Sequence, residues 1–157
     1  MELNDSIVIP ATPDRVFAAL NDPEILRAVI PGCETLDRAE KDRFDAVVVL
    51  RGRPYQGTLR RLGDDRSGAP DHFSLAGEGT GGVAGFAKGA AQVQLASLPK
   101  GTRLTYVVEA QIGGKLAQLG SRLILGAARS LATSFFERFS ALVVPVTNPS
   151  IDQRKVS

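Results

Sequence analysis

The sequence has few of the residues that carry metal, disulfide or redox chemistry. It contains one cysteine, Cys33, so no intramolecular disulfide can form, and a reducing compartment fits that count. It contains one histidine, His72, and no group of histidine, cysteine and carboxylate residues has the spacing of a metal site. These absences argue against a disulfide-stabilised domain and against a zinc or non-haem iron enzyme. We expect no covalent or metal cofactor.

Long apolar runs and a strong charge of one sign are also missing. No apolar run reaches the roughly 18 residues of a membrane-spanning helix, and residues 1–15 lack the basic and apolar regions of a signal peptide. The net charge is +2 from 19 basic and 17 acidic residues, which is too balanced to favour nucleic acid as a partner. We therefore expect a cytoplasmic protein.

The length of 157 residues and the 43% of hydrophobic residues predict one folded domain over residues 1–143. Residues 144–157 are polar, contain two prolines and are predicted to form a flexible tail. Leu3–Ile9 alternates as a strand. Thr12-Pro13 and Asp22-Pro23 each combine a capping residue with a proline that suits the first helical position, so two short helices are expected, with a Pro-Gly turn at residues 31–32 after the second.

Period-two alternation from Phe44 to Ile112 predicts an antiparallel meander with one covered face and one solvated face. The polar stretch at residues 63–70 is expected to be a loop within it. The residues predicted to face inward and to line a pocket are Phe44, Val48, Leu59, Phe73, Leu75 and Tyr106. A glycine cluster at residues 77–89 is interpreted either as a turn or as a flap whose Phe86 closes the pocket mouth.

Residues 110–139 predict one long C-terminal helix. Its apolar stripe consists of Ala117, Gly120, Ile124, Ala127, Leu131, Phe135 and Leu142, flanked by Leu116 and Leu123. The first half of this stripe is small, so it leaves room either for a bound apolar molecule or for bulky side chains of the sheet. The element order predicts an α+β helix-grip fold with a curved antiparallel sheet of about seven strands, two short helices and a long C-terminal helix around an apolar cavity.

Lys115, Arg122 and Arg129 recur at seven-residue spacing on the opposite side of that helix. They are interpreted either as a solvated face or as a docking surface for an acidic partner or anionic lipid. Few ionisable residues fall on the covered face, with Asp5, Lys88 and Arg138 as exceptions, so no catalytic residues are assigned.

Three segments carry a family resemblance: residues 30–34 (IPGCE), residues 77–89 (GEGTGGVAGFAKG) and residues 113–122 (GGKLAQLGSR). Together they resemble the G subunit of carbon monoxide dehydrogenase, a family of the START-like SRPBCC superfamily of hydrophobic-ligand-binding domains. The resemblance implies the helix-grip fold, a deep cavity and an accessory role beside a molybdenum hydroxylase of the carbon monoxide dehydrogenase type. It also implies quinone handling and a peripheral position at the inner membrane face.

The resulting hypothesis is a non-catalytic protein that binds an isoprenoid quinone or lipid and helps electron transfer or membrane recruitment. Its expected ligand-binding residues are Phe44, Val48, Leu59, Phe73, Leu75, Phe86, Tyr106, Leu116, Gly120, Ile124, Ala127 and Leu131. Its expected partners are the hydroxylase subunits and the membrane surface. Two alternatives stay open: a recruitment or assembly factor with an incidental cavity, and an enzyme of the aromatase/cyclase sort.

Overall fold

The computed structural model describes residues 1–62 and 72–143, in which seven strands and three α-helices make one α+β domain. The elements are β1 (Glu2–Ile9), α1 (Pro13–Leu20), α2 (Pro23–Val29), β2 (Cys33–Glu40), β3 (Arg43–Leu50), β4 (Arg53–Leu62), β5 (His72–Thr80), β6 (Phe86–Leu98), β7 (Gly101–Gly113) and α3 (Ser121–Val143). Short 3-10 helices span Gly82–Ala84 and Gly114–Leu119. The polar loop at 63–70 and the tail at 144–157 lie outside the described residues, so those two predictions stay predictions.

The two short helices begin where the sequence predicts. The Thr12 hydroxyl accepts a hydrogen bond from the Arg15 backbone N–H at 3.3 Å, and the Asp22 carboxylate accepts one from Glu24 at 2.9 Å. A proline follows each cap and occupies the first helical position, where its missing N–H costs nothing. Both predicted helix starts are confirmed.

The seven strands form one antiparallel sheet in the order β1-β7-β6-β5-β4-β3-β2. Helices α1 and α2 carry the chain from the β1 edge to the β2 edge, and each later strand lies antiparallel to the one before it. We call the face covered by α3 the inner face and its opposite the outer face. The predicted α+β architecture, with about seven strands and a long C-terminal helix, is confirmed.

The sequence predicts no strand between the Pro-Gly turn and Phe44, but Cys33 begins β2 there. Gly32 makes the turn with a φ of +78°. A Cβ at Gly32 would collide with the Val49 carbonyl oxygen, so only glycine fits this approach to β3. The sequence does not predict this strand because only one of its residues, Leu36, is fully buried. The apolar and polar residues of the strand therefore do not alternate.

The predicted helix over residues 110–139 begins too early. Residues 110–113 complete β7, Gly114–Leu119 forms a 3-10 helix, and α3 starts only at Ser121. Gly114 and Gly120 interrupt the regular helical conformation, because their φ values of +70° and +90° are ones that residues with side chains rarely adopt. The helix then continues to Val143, beyond the predicted end at Phe139.

Helix α3 is anchored at its C-terminal end. Phe139 and Val143 are fully buried in the main hydrophobic cluster, which also contains Ile9, Val16 and Leu104. By contrast, no residue between positions 121 and 138 is fully buried. The N-terminal two thirds of the helix therefore pack loosely against the sheet.

Candidate functional site

A groove of about 320 Å³ lies on the inner face of the sheet. It is lined by Leu59, Leu75, Gly77, Glu78, Gly79, Ala87, Lys88, Gly89, Ala90, Ala91, Val108 and Ala110. The register places the side chains of Glu78, Lys88 and Ala90 on the outer face, so they line the groove with backbone only. Every side chain directed into the groove is apolar.

The groove exists because small residues are aligned across neighbouring strands. Gly77 of β5 lies opposite Gly89 of β6, which lies opposite Ala110 of β7. Gly79 and Ala87 form a second such pair. Since glycine and alanine add almost no volume above the backbone, the floor is a shallow depression bordered by larger side chains, Leu59 and Leu75 among them.

The glycine at position 89 also has a structural reason. A Cβ there would overlap the Glu109 carbonyl oxygen and would lie 3.0 Å from the Ala110 Cβ. At Gly77 the nearest atoms to an added Cβ would be Leu59 Cδ1 at 3.5 Å and Thr58 O at 3.6 Å, which is ordinary contact. Gly89 is therefore required by the backbone, whereas Gly77 is not.

The loosely packed part of α3 supplies further apolar surface on the covered side of the domain. Ile124, Leu125, Ala128 and Ala132 are half-buried, whereas Leu123 is 63% exposed. The fixed end of the helix is held by rings: Phe135 and Phe139 stack at 5.8 Å, and Phe136 stacks on Tyr106 at 5.5 Å. The inner face is thus filled by packed side chains near the C-terminal end of α3, and it contains open space at the groove.

Of the predicted ligand-binding residues, Leu59 and Leu75 line the groove. Phe73 and Phe44 are 3% and 7% exposed and belong to the two hydrophobic clusters. Tyr106 packs beside the first cluster, and burial, with a smaller effect of the Asp5 carboxylate, raises the pKa of its phenol. Val48, Leu116 and Ile124 are half-buried. Ligand contact by any of these residues stays a prediction.

Four of the predicted ligand-binding residues are not placed where the periodicity of the sequence indicated. Gly120 lies outside α3, with nothing within 4 Å of a Cβ built on it. Ala127 is exposed and Leu131 is 38% exposed, because the buried side of α3 is set by Phe139 and is rotated from the predicted stripe. Phe86 is on the outer face, where its ring lies over Gly113, so it does not close the inner groove. Extending one helical period across the break at Gly120 caused the helix errors.

The sequence prediction missed the floor of the groove: Gly77, Gly79, Ala87, Gly89, Ala91 and Ala110. A signal was present, since glycine or alanine occupies alternate positions 77 and 79 in β5 and 87, 89 and 91 in β6. The alternation identifies one face, but only the strand register brings these positions together. The prediction assigned the small surface to the helix, whereas the sheet provides it.

Ionisable groups are not concentrated at the groove. Lys88, predicted as an inward exception, is on the outer face, and Arg138 is exposed. The Cys33 thiol donates to the Thr35 carbonyl oxygen at 3.2 Å, and burial raises its pKa against the opposing effect of Arg27. Within residues 1–62 and 72–143, no group of three or more His, Cys, Asp or Glu residues could hold a metal ion.

The three predicted docking residues are exposed, but they do not share one helix. Arg122 and Arg129 are on α3, whereas Lys115 belongs to the preceding 3-10 helix. Leu119 and Leu123, which are 55% and 63% exposed, lie beside them in the chain. No acidic residue occurs from position 113 to position 136. Among the described helices, none combines the length and apolarity needed to cross a membrane.

Solved structures with this architecture identify the class of the fold. A START superfamily protein from Mycobacterium smegmatis is similar at a TM-score of 0.71 and 10% identity, covering 90% of this chain and 96% of that one. A Thermus thermophilus protein is similar at a TM-score of 0.71 and 17% identity, and the match covers 94% of this chain and 100% of that one. A conserved protein from Geobacillus kaustophilus is similar at 0.83 and 28% identity, covering 91% and 95%. The domain is therefore a START-like α+β fold.

Residues 6–144 match the family model of the carbon monoxide dehydrogenase G subunit (CoxG), and the chain belongs to this family. The predicted resemblance is thereby confirmed. A search of curated proteins found no match. Family and fold together support an accessory role that involves binding a hydrophobic ligand.

Proposed function

We propose that this chain is a non-catalytic accessory protein that holds an isoprenoid quinone or a similar lipid in the inner groove, in the service of a molybdenum hydroxylase of the carbon monoxide dehydrogenase type. The observation that carries the proposal is the apolar groove with its glycine and alanine floor. Its volume of about 320 Å³ is near the lower end of the roughly 300–1,000 Å³ typical of small-molecule sites. This space suits a ring and a short apolar chain.

The physical basis for binding is burial of apolar surface. Each methylene removed from water contributes about 0.8 kcal/mol, so a ligand chain of five such groups contributes roughly 4 kcal/mol before ordering costs. A groove without inward ionisable side chains supplies no general acid or base, which favours holding a molecule over transforming it.

The first test is a pair of adjacent substitutions in β6. Ala91→Leu directs a larger side chain into the groove, whereas Gln92→Leu places a leucine on the outer face at a position that lines neither the groove nor the outer concavity. We expect Ala91→Leu to weaken the binding of a short-chain ubiquinone analogue at least tenfold and Gln92→Leu to leave it within about twofold. The measurement is fluorescence or calorimetric titration of both variants, with circular dichroism as the folding control.

Native mass spectrometry of gently purified protein provides the complementary readout. A co-purifying lipid or quinone mass that disappears in Ala91→Leu supports the proposal. Equal binding by the two variants would refute the groove as the site.

A second candidate function is recruitment of the hydroxylase or of the membrane, with the groove incidental. The exposed Lys115, Arg122 and Arg129, in a stretch without acidic residues and beside exposed Leu119 and Leu123, favour it. Basic and apolar side chains in one surface region are typical of attachment to anionic phospholipid. An empty protein that still captures the hydroxylase in a pull-down would favour recruitment over ligand binding.

A further inference from the structure

The outer face of the sheet contains a second, larger concavity that the proposed function does not use. Its volume is about 850 Å³, and residues from six of the seven strands, all except β2, line it. Unlike the inner groove, it is lined by charged side chains of both signs. The arrangement of these charges suggests what binds there.

One row of directly opposed residues crosses the concavity from β3 to β1. In spatial order it reads Arg43, Arg60, Ala76, Ala90, Glu109, Glu2. The row has two cations, then two alanines, then two anions. Positions at equal distances from the midpoint between the alanines therefore carry opposite charges. The next row repeats the inversion, since Glu78 of β5 lies opposite Lys88 of β6 about the same midpoint.

The two carboxylates of the acidic half have no ion-pair partner among the described residues, while the Met1 ammonium, which donates to the Ala110 carbonyl oxygen at 2.9 Å, lines the same concavity. Glu2 and Glu109 lie directly opposite each other, and like charges in that position destabilise a sheet. Glu78 and Lys88 also form no ion pair among the described residues. These groups are therefore available to partners from outside the chain.

The basic half has two carboxylates, Glu40 and Asp45, beside its two arginines. Glu40 lies 3.5 Å from an Arg43 nitrogen and 3.6 Å from an Arg60 nitrogen, and Asp45 lies 3.3 Å from Arg43. Glu40 is 60% exposed and Asp45 is 49% exposed, and such solvated pairs contribute little. Each Arg43 nitrogen is within 3.5 Å of one of these carboxylates, whereas Arg60 has a single contact with them, at 3.6 Å, so most of the five donors of Arg60 remain available to another carboxylate.

We propose that the outer face docks a second copy of this chain in a two-fold dimer, with the symmetry axis parallel to the strands and passing above the Ala76–Ala90 pair. This rotation reverses the row, so that Arg43 faces Glu2 of the second copy and Arg60 faces its Glu109. Glu78 faces Lys88 in the same way. Each of these charges then meets its opposite, and a two-fold interface repeats each pair.

Sheet geometry is compatible with this arrangement. A sheet twists with one hand, and a two-fold axis along the strands brings two identically twisted faces into register, as in aligned face-to-face packing. The alanines form the floor at the centre of the concavity, so the charged side chains on either side of them make the contacts between the copies. Because charged pairs dominate, the dimer should be sensitive to salt, whereas an apolar interface would not be.

The test reverses one charge in each half of the row. In the Glu109→Lys homodimer Arg60 of each copy faces a lysine, and in the Arg60→Glu homodimer Glu109 of each copy faces a glutamate, so each homodimer should weaken at least tenfold. Mixed in equal amounts, the two variants should form a heterodimer with affinity close to that of the unaltered protein. Sedimentation velocity at about 0.05 M and about 0.5 M salt measures all three species.

Arg103→Glu is the matched control for Arg60→Glu. It has the same change of charge on the same face, but it lies six residues from Glu109 along β7 and does not line the concavity. We expect it to dimerise like the unaltered protein. A monomeric unaltered protein at low salt overturns the proposal, as does a dimer that both single reversals leave intact, or a mixture that fails to rescue association while each variant remains folded.

Discussion

At the scale of single residues, the two glycines that face each other in the groove have different roles. Gly89 is forced by the neighbouring backbone, because a Cβ would overlap the Glu109 carbonyl oxygen. Gly77 has room for a methyl group. The sequence shows both as members of one glycine cluster, and only the register distinguishes them.

Alanine substitutions separate these roles. We expect Gly89→Ala to lower the free energy of unfolding by about 1–3 kcal/mol, as overpacking does. Gly77→Ala should be neutral or stabilising by up to about 1 kcal/mol, because it restricts the unfolded chain without straining the fold. Urea denaturation of both variants measures the difference. Equal destabilisation would contradict the assigned contacts.

At the scale of elements, α3 was recognised as a long amphipathic helix, but its start and its buried side were not. The helical period survives in α3 itself, where Phe135, Phe136, Phe139 and Val143 face the core. The period fails across Gly114 and Gly120, whose positive φ values end regular structure. Glycine can occupy helix interiors or breaks, so the sequence did not distinguish these two outcomes.

The basic residues around the start of α3 carry the prediction at this scale. Replacing Lys115, Arg122 and Arg129 together by Gln should weaken association with anionic vesicles or with the hydroxylase, because the only charges of this acid-free stretch are removed. The unaltered interaction should also weaken with salt. Stability should change by less than about 0.5 kcal/mol, as is usual for exposed positions.

Vesicle sedimentation and pull-down at low and high salt check this prediction. Phosphatidylcholine vesicles without anionic lipid serve as the control surface. Unchanged association of the triple variant in both assays would return these residues to the interpretation of a solvated face.

At the scale of the whole molecule, two raised pKa values predict lower stability in alkali. Burial raises the pKa of the Cys33 thiol and of the Tyr106 phenol, so the folded state retains protons that the unfolded state releases. The associated stability is complete below the unfolded pKa values, about 8.5 for cysteine and about 10 for tyrosine, and is lost as the pH rises past them.

Urea denaturation between pH 7 and pH 11 measures this loss. The double variant Cys33→Ala with Tyr106→Phe, which lacks both groups, is the control. Its free energy of unfolding should fall less steeply with pH than that of the unaltered protein. Parallel pH profiles would show that these two groups do not determine the alkaline behaviour.

The sequence by itself determined the types of most elements, the helix starts at Thr12 and Asp22, and the family. These follow from local rules: alternation, capping residues, proline geometry and short motifs that act over a few neighbouring positions. It also placed Leu59 and Leu75 on the face that contains the groove.

Only the tertiary structure decided the positions of the inner groove and of the charged row on the outer face. The groove arises because Gly77, Gly89 and Ala110 are aligned by register across three strands, and the outer row arises because Arg60 and Glu109 are aligned across four. Residues so far apart in the chain become neighbours through backbone pairing, which no local pattern records. The same holds for α3, whose buried side is set by the core that Phe139 enters and not by the helical period alone.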